Sequence, residues 1–362
     1  MDRMFGGSRG KGAWLALLIA AAALGVSGAA APRATAHRAI ARADALRASL
    51  AQNGALTVMS YNVEGLPAPA RFGRSASLER IGSRLAGLRL EGRQPNVVLL
   101  QEAFAAEAGR IASRAGYRYA VDGPTADEVN RQPAPAGAAM LVDQASHLKG
   151  EDDGKWLGSG LRILSDYPIT KVERLAFPAW ACAGYDCLAN KGALVVWVNV
   201  PGAAGPVAFI DTHLNSRVAS GVAKARADMA YAYQVDALRQ FIADNVPPGA
   251  VAFLGGDFNS GKAAIRREDL GLGLLPDARN SLLEALSDER GVSVPDSSDT
   301  QAILERGKDW LFYRGSSRCR VALTGFDVPF GRAPDGTSLS DHLGYEARYR
   351  LSDRPTQRAG AV

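Results

Sequence analysis

Long apolar runs, excess charge and cysteine are all scarce in this chain. Only the N-terminal segment, residues 13–31, approaches the roughly 20 apolar residues that cross a bilayer, so a protein with several membrane spans is excluded. The formal net charge of +5 falls to +2 without residues 1–36, which contain four basic residues and one acidic residue. Such a weak excess argues against capture of nucleic acid through a strongly basic face.

The first 36 residues have the pattern of a secretory signal peptide. A basic start precedes the apolar run, and small residues follow it up to an Ala-x-Ala arrangement that ends at Ala36. We therefore expect a secreted or periplasmic protein; the alternative is an uncleaved membrane anchor. Residues 37–54 are predicted to form a helical spacer, residues 55–352 one folded domain, and residues 353–362 a flexible tail.

Six short polar segments lie far apart in the chain. The first four follow apolar runs, and two more lie nearer the C-terminus. They are Tyr61-Asn62, Gln101-Glu102, Asp211-Thr212-His213-Leu214-Asn215, Gly255-Gly256-Asp257-Phe258-Asn259, Asp309-Trp310 and Ser340-Asp341-His342. A buried strand that ends in a polar residue delivers that side chain to the edge of the sheet, where loops form a crevice. We therefore expect the segments to meet in one cleft. Their carboxylates, amides and histidines suit a metal-dependent hydrolase.

The order of predicted elements is typical of a layered α/β protein. Strands are predicted at 56–62, 96–101, 161–164, 193–200 and 207–211, and helices at 77–88, 103–115 and 223–245. Strands at 251–254 and 310–313 are predicted to complete the sheets. Between the predicted helix at 103–115 and the predicted strand at 161–164, residues 124–160 are rich in Pro, Gly and charge, which predicts a long loop that is either a binding loop or a solvated insertion.

None of the three cysteines lies in the six polar segments, which argues against a zinc site built from thiolates. Export permits disulfide formation, and Cys182 and Cys187 are close enough in sequence to close a small loop. We therefore predict a Cys182–Cys187 disulfide with Cys319 left as a thiol. The alternative is three thiols.

The six segments together resemble the endonuclease/exonuclease/phosphatase superfamily, which includes pancreatic-type deoxyribonucleases, abasic-site endonucleases, inositol polyphosphate 5-phosphatases and neutral sphingomyelinases. The resemblance extends from about Thr57 to Tyr349, with the motifs in the family's order. It implies an α/β (α+β) fold of four layers, in which a two-sheet β-sandwich of the DNase I-like type is flanked by helices.

The resemblance also implies the chemistry of the metal and of the base. Glu102 corresponds to the principal metal ligand and Asn62 assists it, while Asp341 binds or positions a metal directly or through water. Oxygen ligands of this kind suit Mg²⁺, with Mn²⁺ as a substitute. Asp309 and His342 resemble the family's carboxylate–histidine pair, in which His342 is the general base.

Three further residues are assigned to the phosphate by the same resemblance. Asp257 and Asn259 alternate with Phe258, so an extended backbone points both toward phosphate, nucleophile or a second cation. His213, with Asn215 two residues later, is similar to the histidine that binds phosphate or assists the leaving group in deoxyribonucleases and sphingomyelinases. Abasic-site endonucleases lack a histidine at this position.

The choice of substrate depends on residues 182–193. Asp186, Asn190, Lys191 and Gly192 resemble the Asp-x-x-x-Asn-Lys-Gly segment of secreted and neutral sphingomyelinases, with Lys191 and Asn190 near the phosphate. A solvent-facing lysine is the structural alternative. The resemblance predicts a sphingomyelinase-type phospholipase C that meets a phospholipid head group at a membrane surface, with Trp156 or segment 177–180 touching lipid.

Two other functions remain open at this point. Arg and Lys residues at 71–93 and 261–267 are compatible with a secreted deoxyribonuclease-like endonuclease that binds nucleic acid. A binding protein that has lost catalysis is disfavoured, because every expected polar residue is present. No feature of the sequence requires an obligate protein partner.

Overall fold

The computed structural model describes residues 30–353 except 272, 288–291, 293 and 295–297. Most of the predicted signal peptide and nearly all of the predicted tail therefore lie outside the described residues. The first element is helix α1 (Ala30–Gln52), which includes the predicted cleavage position at Ala36 as well as most of the predicted spacer. Within the described part of the chain, no helix combines the length and the apolarity that crossing a bilayer requires.

Two six-stranded sheets form the centre of the molecule. The first contains β1 (Ala55–Asn62), β2 (Val97–Gln101), β3 (Tyr119–Asp122), β4 (Arg162–Ser165), β11 (Cys319–Phe330) and β12 (Gly344–Asp353), in the order β11-β12-β1-β2-β4-β3. The second contains β5 (Ile169–Ala176), β6 (Gly192–Val198), β7 (Val207–His213), β8 (Ala252–Asp257), β9 (Arg279–Asn280) and β10 (Asp309–Arg314), in the order β5-β6-β7-β8-β10-β9. Each sheet has one parallel pair near its middle, β1 with β2 and β7 with β8.

The sheets pack face to face through apolar side chains that alternate along the strands. Leu56 and Val58 of β1 meet Phe209 and Phe253 of the second sheet in the main core, and the last two rings stack with centroids 5.1 Å apart. Since side chains on a strand alternate between faces, Met59 points to the other side of the first sheet. Two sheets that pack in this way bury the apolar side chains of both inner faces between them.

Helices cover the outer face of each sheet. The helices α2 (Arg74–Leu90), α3 (Ala106–Gly109) and α4 (Ile111–Ala115) cover the first sheet, where Leu78, Ile81 and Leu85 of α2 repeat at helical spacing and are fully buried. The long helix α6 (Lys224–Asn245) covers the second sheet with Tyr231 and Leu238. The four-layered sandwich predicted from the family resemblance is confirmed.

The remaining helices are short and lie in the connections. They are α5 (Ala139–Asp143), α7 (Ala264–Gly271), α8 (Ser281–Leu286) and α9 (Ser298–Arg306). The region predicted as one loop, residues 124–160, contains α5 and two turns of 3-10 helix. Glu151 attaches it to α6 through a buried ion pair with Arg226 at 2.9 Å. This region is therefore packed against the domain.

The strands predicted at 251–254 and 310–313 are present as β8 and β10, but the prediction that they complete the sheets is wrong. The sheets are completed by β11 and β12, which follow the strand predicted as the last one. In β11 the register shifts at Leu323/Gly325 and at Asp327/Phe330, and such bulges break the alternation by which a strand is recognised. The helix predicted at 103–115 is divided at Arg110 into α3 and α4.

Candidate active site

Strand pairing brings the predicted site residues to one edge of the sandwich. The parallel register of β1 and β2 places Asn62 beside Gln101, so Glu102 follows immediately. The parallel register of β7 and β8 places His213 beside Asp257, and antiparallel pairing sets Asp309 opposite Asp257. Because parallel strands end at the same sheet edge, residues that are distant in the chain share one cleft.

The close approach of β7 and β8 depends on Gly256. Its φ of 146° is in the region that favours glycine, and a Cβ there would lie 2.1 Å from the carbonyl oxygen of Thr212. Any side chain at this position would force the two strands apart. A glycine directly before Asp257 therefore allows that carboxylate to sit next to His213.

Asn62 joins two carboxylates across the two sheets. Its Nδ2 donates to Oε1 of Glu102 at 2.9 Å and to Oδ2 of Asp257 at 3.1 Å. Its Oδ1 accepts a hydrogen bond from the backbone N–H of Glu64 at 3.0 Å, which fixes the orientation of the amide. The amide thus holds two anionic groups near each other in a largely buried place.

The two carboxylates differ in how strongly their surroundings favour the charged form. Burial raises the pKa of Glu102, and the hydrogen bond from Asn62 only partly opposes it. Burial also works against ionisation of Asp257, but positive charge from neighbouring groups, His342 first and Lys308 among them, outweighs it and holds the pKa of Asp257 below its usual range. The positive charges of the protein near Glu102 are thus too weak to offset the effect of burial on its carboxylate.

The donor atoms at this place suit a hard divalent cation. Ligand atoms of Glu102, His213 and Asp257 all lie within 4.8 Å of one another, and a second group of this kind is formed by Asp257, Asp309 and His342. Two carboxylates with an amide beside them match the preference of Mg²⁺ for oxygen and for one or two protein carboxylates. Glu102, whose charged form is short of positive partners, is the residue where a cation fits best.

His342 and Asp309 form the predicted pair. Nδ1 of His342 lies 2.8 Å from both carboxylate oxygens of Asp309, and Nε2 lies 3.5 Å from Oδ2 of Asp257. Burial disfavours the charged imidazolium, but Asp309 and Asp257 together outweigh burial and raise the pKa of His342 to about 9. The carboxylate of Asp309 therefore both orients the ring and increases its proton affinity.

His213 sits beside a cation instead of a second carboxylate. Nζ of Lys191 lies 3.1 Å from Nε2 of His213 and donates to the carbonyl of Leu214 at 3.1 Å. Burial, and after it the charge of Lys191, lower the pKa of His213 well below its ordinary value. Asp186 holds the ammonium from the other side at 3.0 Å, so Lys191 is buried, paired and directed into the site.

Asn259 also reaches His213. Its Nδ2 lies 3.3 Å from Nε2 of His213 and donates to the carbonyl of Leu214 at 3.0 Å, while its backbone N–H donates to Oδ1 of Asp257 at 2.9 Å. Its φ of 48° is in the left-handed region, which asparagine tolerates better than most residues. The structure therefore brings together Asn62, Glu102, Asp257, His213, Asn259, Lys191, Asp309 and His342.

Three other predicted residues do not contribute side chains to this group. Asp341 is half-exposed and pairs with Arg306 at 3.2 Å. Asn215 is buried, accepting from the N–H of Ala183 at 3.0 Å and donating to the carbonyl of Ser216 at 2.8 Å. The side-chain partner of Asp341 lies at the end of α9, and those of Asn215 lie on loops around the site.

Asn190 has a similar supporting position. Its Nδ2 donates to the carbonyls of Thr125 at 2.7 Å and Glu128 at 3.1 Å, so it attaches the 124–130 segment to the strand that follows Lys191. Next to Lys191, Gly192 lies against β5, where a Cβ would come within 1.8 Å of the carbonyl oxygen of Leu175. The Asn-Lys-Gly sequence thus combines a loop anchor, a cation in the site and a close strand contact.

Arg266 of α7 is a site-supporting residue that sequence reasoning missed. It is fully buried, and its NH1 group donates to the backbone carbonyls of Asn215 at 2.6 Å and Asn259 at 3.0 Å. Asp228 balances its charge at 2.7 Å. One guanidinium therefore ties together the loops after β7 and β8. An arginine in a helix gives no sequence signal that separates this role from surface exposure.

The cysteines agree with the prediction. Cys182 and Cys187 form a disulfide, which closes the loop that carries Asp186. Cys319 is buried in β11. In segment 177–180, one of the two candidates for lipid contact, Phe177 is buried and the partly buried Trp180 packs edge-on against Tyr233 with ring centroids 4.9 Å apart.

Several solved structures with a similar fold share little sequence identity with this chain. A mutant beta toxin from Staphylococcus aureus with bound magnesium ions matches at a TM-score of 0.52 and 19% identity over 81% of this chain and 98% of that chain. Sphingomyelinase C from Streptomyces griseocarneus matches at 0.51 and 22% identity over 81% and 99%. Humanized TDP2 from D. rerio matches at 0.50 and 17% identity over 82% and 99%. These likenesses show a common fold.

The sequence comparisons identify the family. A comparison with curated protein sequences finds no match. The model of the endonuclease/exonuclease/phosphatase family matches residues 59–342, a span that begins in β1 and ends at the histidine paired with Asp309. It includes every predicted site residue and most of the chain, and the chain accordingly belongs to the endonuclease/exonuclease/phosphatase family.

Proposed function

We propose that this protein is an exported, Mg²⁺-dependent phosphodiesterase that acts on phospholipids as a sphingomyelinase-type phospholipase C. The observation that carries the proposal is the buried arrangement in which Asn62 bridges Glu102 and Asp257, with His342 and His213 on the same Asp257 oxygen at 3.5 and 3.6 Å. Hydrolysis of a phosphodiester needs a proton acceptor, charge stabilisation and help for the leaving oxygen. These residues supply all three.

His342 holds and moves the proton of the attacking water in this proposal. Asp309 accepts the Nδ1–H, which leaves Nε2 facing the cleft next to Asp257. With a pKa of about 9, the ring is protonated near neutral pH while Asp309 and Asp257 are the carboxylates paired with it. A divalent cation at Glu102 would offset negative charge on the phosphoryl oxygens and, by repulsion, favour the neutral ring that can accept a proton.

Lys191, His213 and Asn259 bind the phosphoryl oxygens in this proposal. The ammonium of Lys191 brings positive charge to the cleft, and Asn259 directs its amide to the same place. Because the pKa of His213 is held low, the ring stays neutral and can donate one hydrogen bond without adding a charge. Donors fixed in a buried site stabilise developing negative charge more strongly than donors in water.

Exposed apolar side chains near the Lys191 loop favour a lipid substrate. Leu148, Trp156, Tyr185 and Val218 are 92%, 68%, 52% and 76% exposed. Tyr185 precedes Asp186, the partner of Lys191, and Trp156 is attached through its backbone N–H to the carbonyl of Leu188 at 2.8 Å. Large exposed apolar residues on neighbouring loops suit contact with a membrane surface. The fold likeness to sphingomyelinase C supports the same choice.

Some of the basic residues that favoured a nuclease are paired within the protein. Arg71 and Arg74, from the basic region that favoured nucleic acid, both pair with Glu64, at 2.9 and 3.4 Å. Charges that are neutralised within the protein contribute less to binding of a phosphate backbone. The Cys182–Cys187 disulfide supports the proposed export, because such bonds persist in oxidising compartments.

A substrate panel tests this proposal. Purified protein with Mg²⁺ is given phospholipid vesicles that include sphingomyelin, a plasmid, and bis(4-nitrophenyl) phosphate, and the released products are identified. We expect release of a phosphorylated head group from lipid, dependent on Mg²⁺ and restored by Mn²⁺ after chelation. Nicking of the plasmid with intact vesicles would reject the lipid assignment, and inertness toward all three substrates would reject the phosphodiesterase.

A further inference from the structure

A small basic cavity opens beside the proposed site. Its volume is about 280 Å³, and Asn259 lies in its wall, so it adjoins the cleft that contains His213 and Asp257. The backbone segments 216–218 and 259–263, which follow β7 and β8, form most of its lining, together with Lys308. The cavity is therefore built by the same loops that position the proposed phosphate-binding residues.

The charge of the cavity is positive and only partly balanced. Arg217 in the wall pairs with Asp228 at 2.9 Å, and Asp228 is shared with Arg266. Across the described part of the chain, no carboxylate forms an ion pair with Lys262 or Lys308. Lys308 is also one of the cations that keep Asp257 charged, which places its positive charge near the catalytic carboxylate.

The lining excludes a cationic occupant. None of the residues that form it is acidic or aromatic. Recognition of a quaternary ammonium group such as choline relies on aromatic faces or negative charge, and neither is present here. Two lysine ammonium groups with no carboxylate partner instead favour a group that carries negative charge.

We propose that this cavity is a subsite for a second anionic group on the phospholipid head group, next to the phosphodiester that is hydrolysed. The inference rests on the proposed phospholipase activity and narrows its substrates to head groups that bear a phosphate monoester or a comparable anion, in preference to phosphocholine. Val218 connects the cavity to the exposed apolar side chains that favour a membrane surface. A head group that leaves the bilayer there would reach the cavity and the site together.

The size of the cavity favours a head group over a nucleic acid strand. A volume of about 280 Å³ is at the lower end for a small-molecule site and can enclose one compact anionic group. A nucleic acid backbone requires a basic stripe along several phosphates. The cavity is a single half-open pocket of small volume with Lys262 and Lys308 in its wall.

A matched pair of lipids tests the subsite. Phosphatidylinositol 4-phosphate and phosphatidylinositol, each in neutral detergent micelles with Mg²⁺, differ by one phosphate on the head group. We expect kcat/KM to be higher for the phosphorylated lipid, and Lys262→Glu to reduce that preference about tenfold, as loss of a charge-assisted hydrogen bond would. Lys262 is exposed, so its replacement does not disturb the core. Lys171→Glu, an exposed lysine paired with Glu173 on β5, should leave the preference unchanged.

The outcomes separate this inference from the function on which it rests. Equal kcat/KM for the two lipids in the wild type, or a preference that survives Lys262→Glu, would overturn the subsite and leave the phosphodiesterase intact. Slower oligonucleotide cleavage by Lys262→Glu, with equal use of both lipids, would assign the cavity to nucleic acid and overturn it as well. If neither lipid nor bis(4-nitrophenyl) phosphate is hydrolysed, calorimetric titration with inorganic phosphate tests the subsite without catalysis. The subsite requires the wild type to bind phosphate about tenfold more tightly than Lys262→Glu does, and equal binding would overturn it.

Discussion

His342 and His213 approach the same oxygen of Asp257, at 3.5 and 3.6 Å, yet their pKa values move in opposite directions. Burial lowers the pKa of both rings. Asp309 at 2.8 Å outweighs burial and raises the pKa of His342 to about 9, whereas Lys191 at 3.1 Å adds to burial and lowers the pKa of His213 further. The second neighbour, and not the shared carboxylate, determines the charge of each ring.

This difference allows one buried cleft to hold a proton acceptor and a neutral hydrogen-bond donor at the same pH. Groups whose surroundings shift their pKa values apart are typical of acid–base sites. The comparison also explains why two histidines of one cleft, His213 at the end of β7 and His342 just before β12, are given different roles here. Each role depends on a partner from a distant strand.

The largest expected effect is loss of the proton acceptor. His342→Ala should lower kcat for a phosphodiester by about a hundredfold or more, because the other histidine of the cleft, His213, lies beside Lys191 and is assigned to the phosphate in this account. The rate is measured with bis(4-nitrophenyl) phosphate and with lipid vesicles. His147→Ala is the matched control, since that histidine is 75% exposed and pairs with Asp153 on the surface. A His342→Ala enzyme with near wild-type rates would remove the proposed role.

Asp309→Asn removes the charge that makes His342 differ from His213. We expect the pKa of His342 to fall and kcat to drop by about 10- to 100-fold, since an orienting partner of a site histidine is lost. NMR of histidine ring protons follows the pKa, and steady-state assays follow kcat. An unchanged pKa in the substituted protein would show that burial and Asp257 alone control His342.

Lys191→Met removes the positive charge that makes His213 differ from His342. The pKa of His213 should rise because the repelling ammonium is gone, although burial still opposes the charged ring. Because the His213 ring becomes protonated when the pH falls below its pKa, a higher pKa moves the acid limb of the kcat/KM profile to higher pH. We also expect about a tenfold loss of kcat/KM from the missing phosphate contact. Lys171→Met is the control, and an unmoved acid limb would contradict the account.

Glu346, which is not one of the proposed site residues, shows burial without adequate compensation. Burial raises its pKa to about 7, because Arg348 at 3.3 Å only partly offsets it. The free energy of unfolding therefore falls as the pH rises from the ordinary pKa of 4.5 to about 7, because the buried carboxyl group must lose its proton. Above that range it falls no further on account of Glu346. Glu346→Gln should raise the free energy of unfolding at pH 8 by about 2–3 kcal/mol and by little at pH 4.5. Denaturant titration at both pH values measures this, and activity should not change.

The strand-end pattern predicted the place of the site and most of its members. Asn62 and Asp257 end buried strands, while Glu102 follows one and Asp309 begins one. Strand pairing within each sheet and packing between the sheets then bring them together. The Cys182–Cys187 disulfide was predictable from short spacing and expected export. These features depend on local sequence and on general rules of sheet geometry.

Other features depend on packing that a sequence does not reveal. Asn215 and Asn190 look like phosphate contacts by motif, but their amides hold the loops around the site. Arg266 lies in an ordinary helical segment, and only the tertiary structure shows that it binds the loops after β7 and β8. The opposite pKa shifts of the two histidines also required burial and distances to be known.

The most direct test of the account is to locate the cation. Crystals grown in Mn²⁺ would be measured at the manganese absorption edge, where the metal gives an anomalous peak. We predict a peak in direct coordination with Glu102, close to Asp257, and its loss in Glu102→Gln. A fully occupied peak elsewhere, with none within reach of Glu102, would contradict the claim that these strand ends form a metal-dependent phosphodiesterase site.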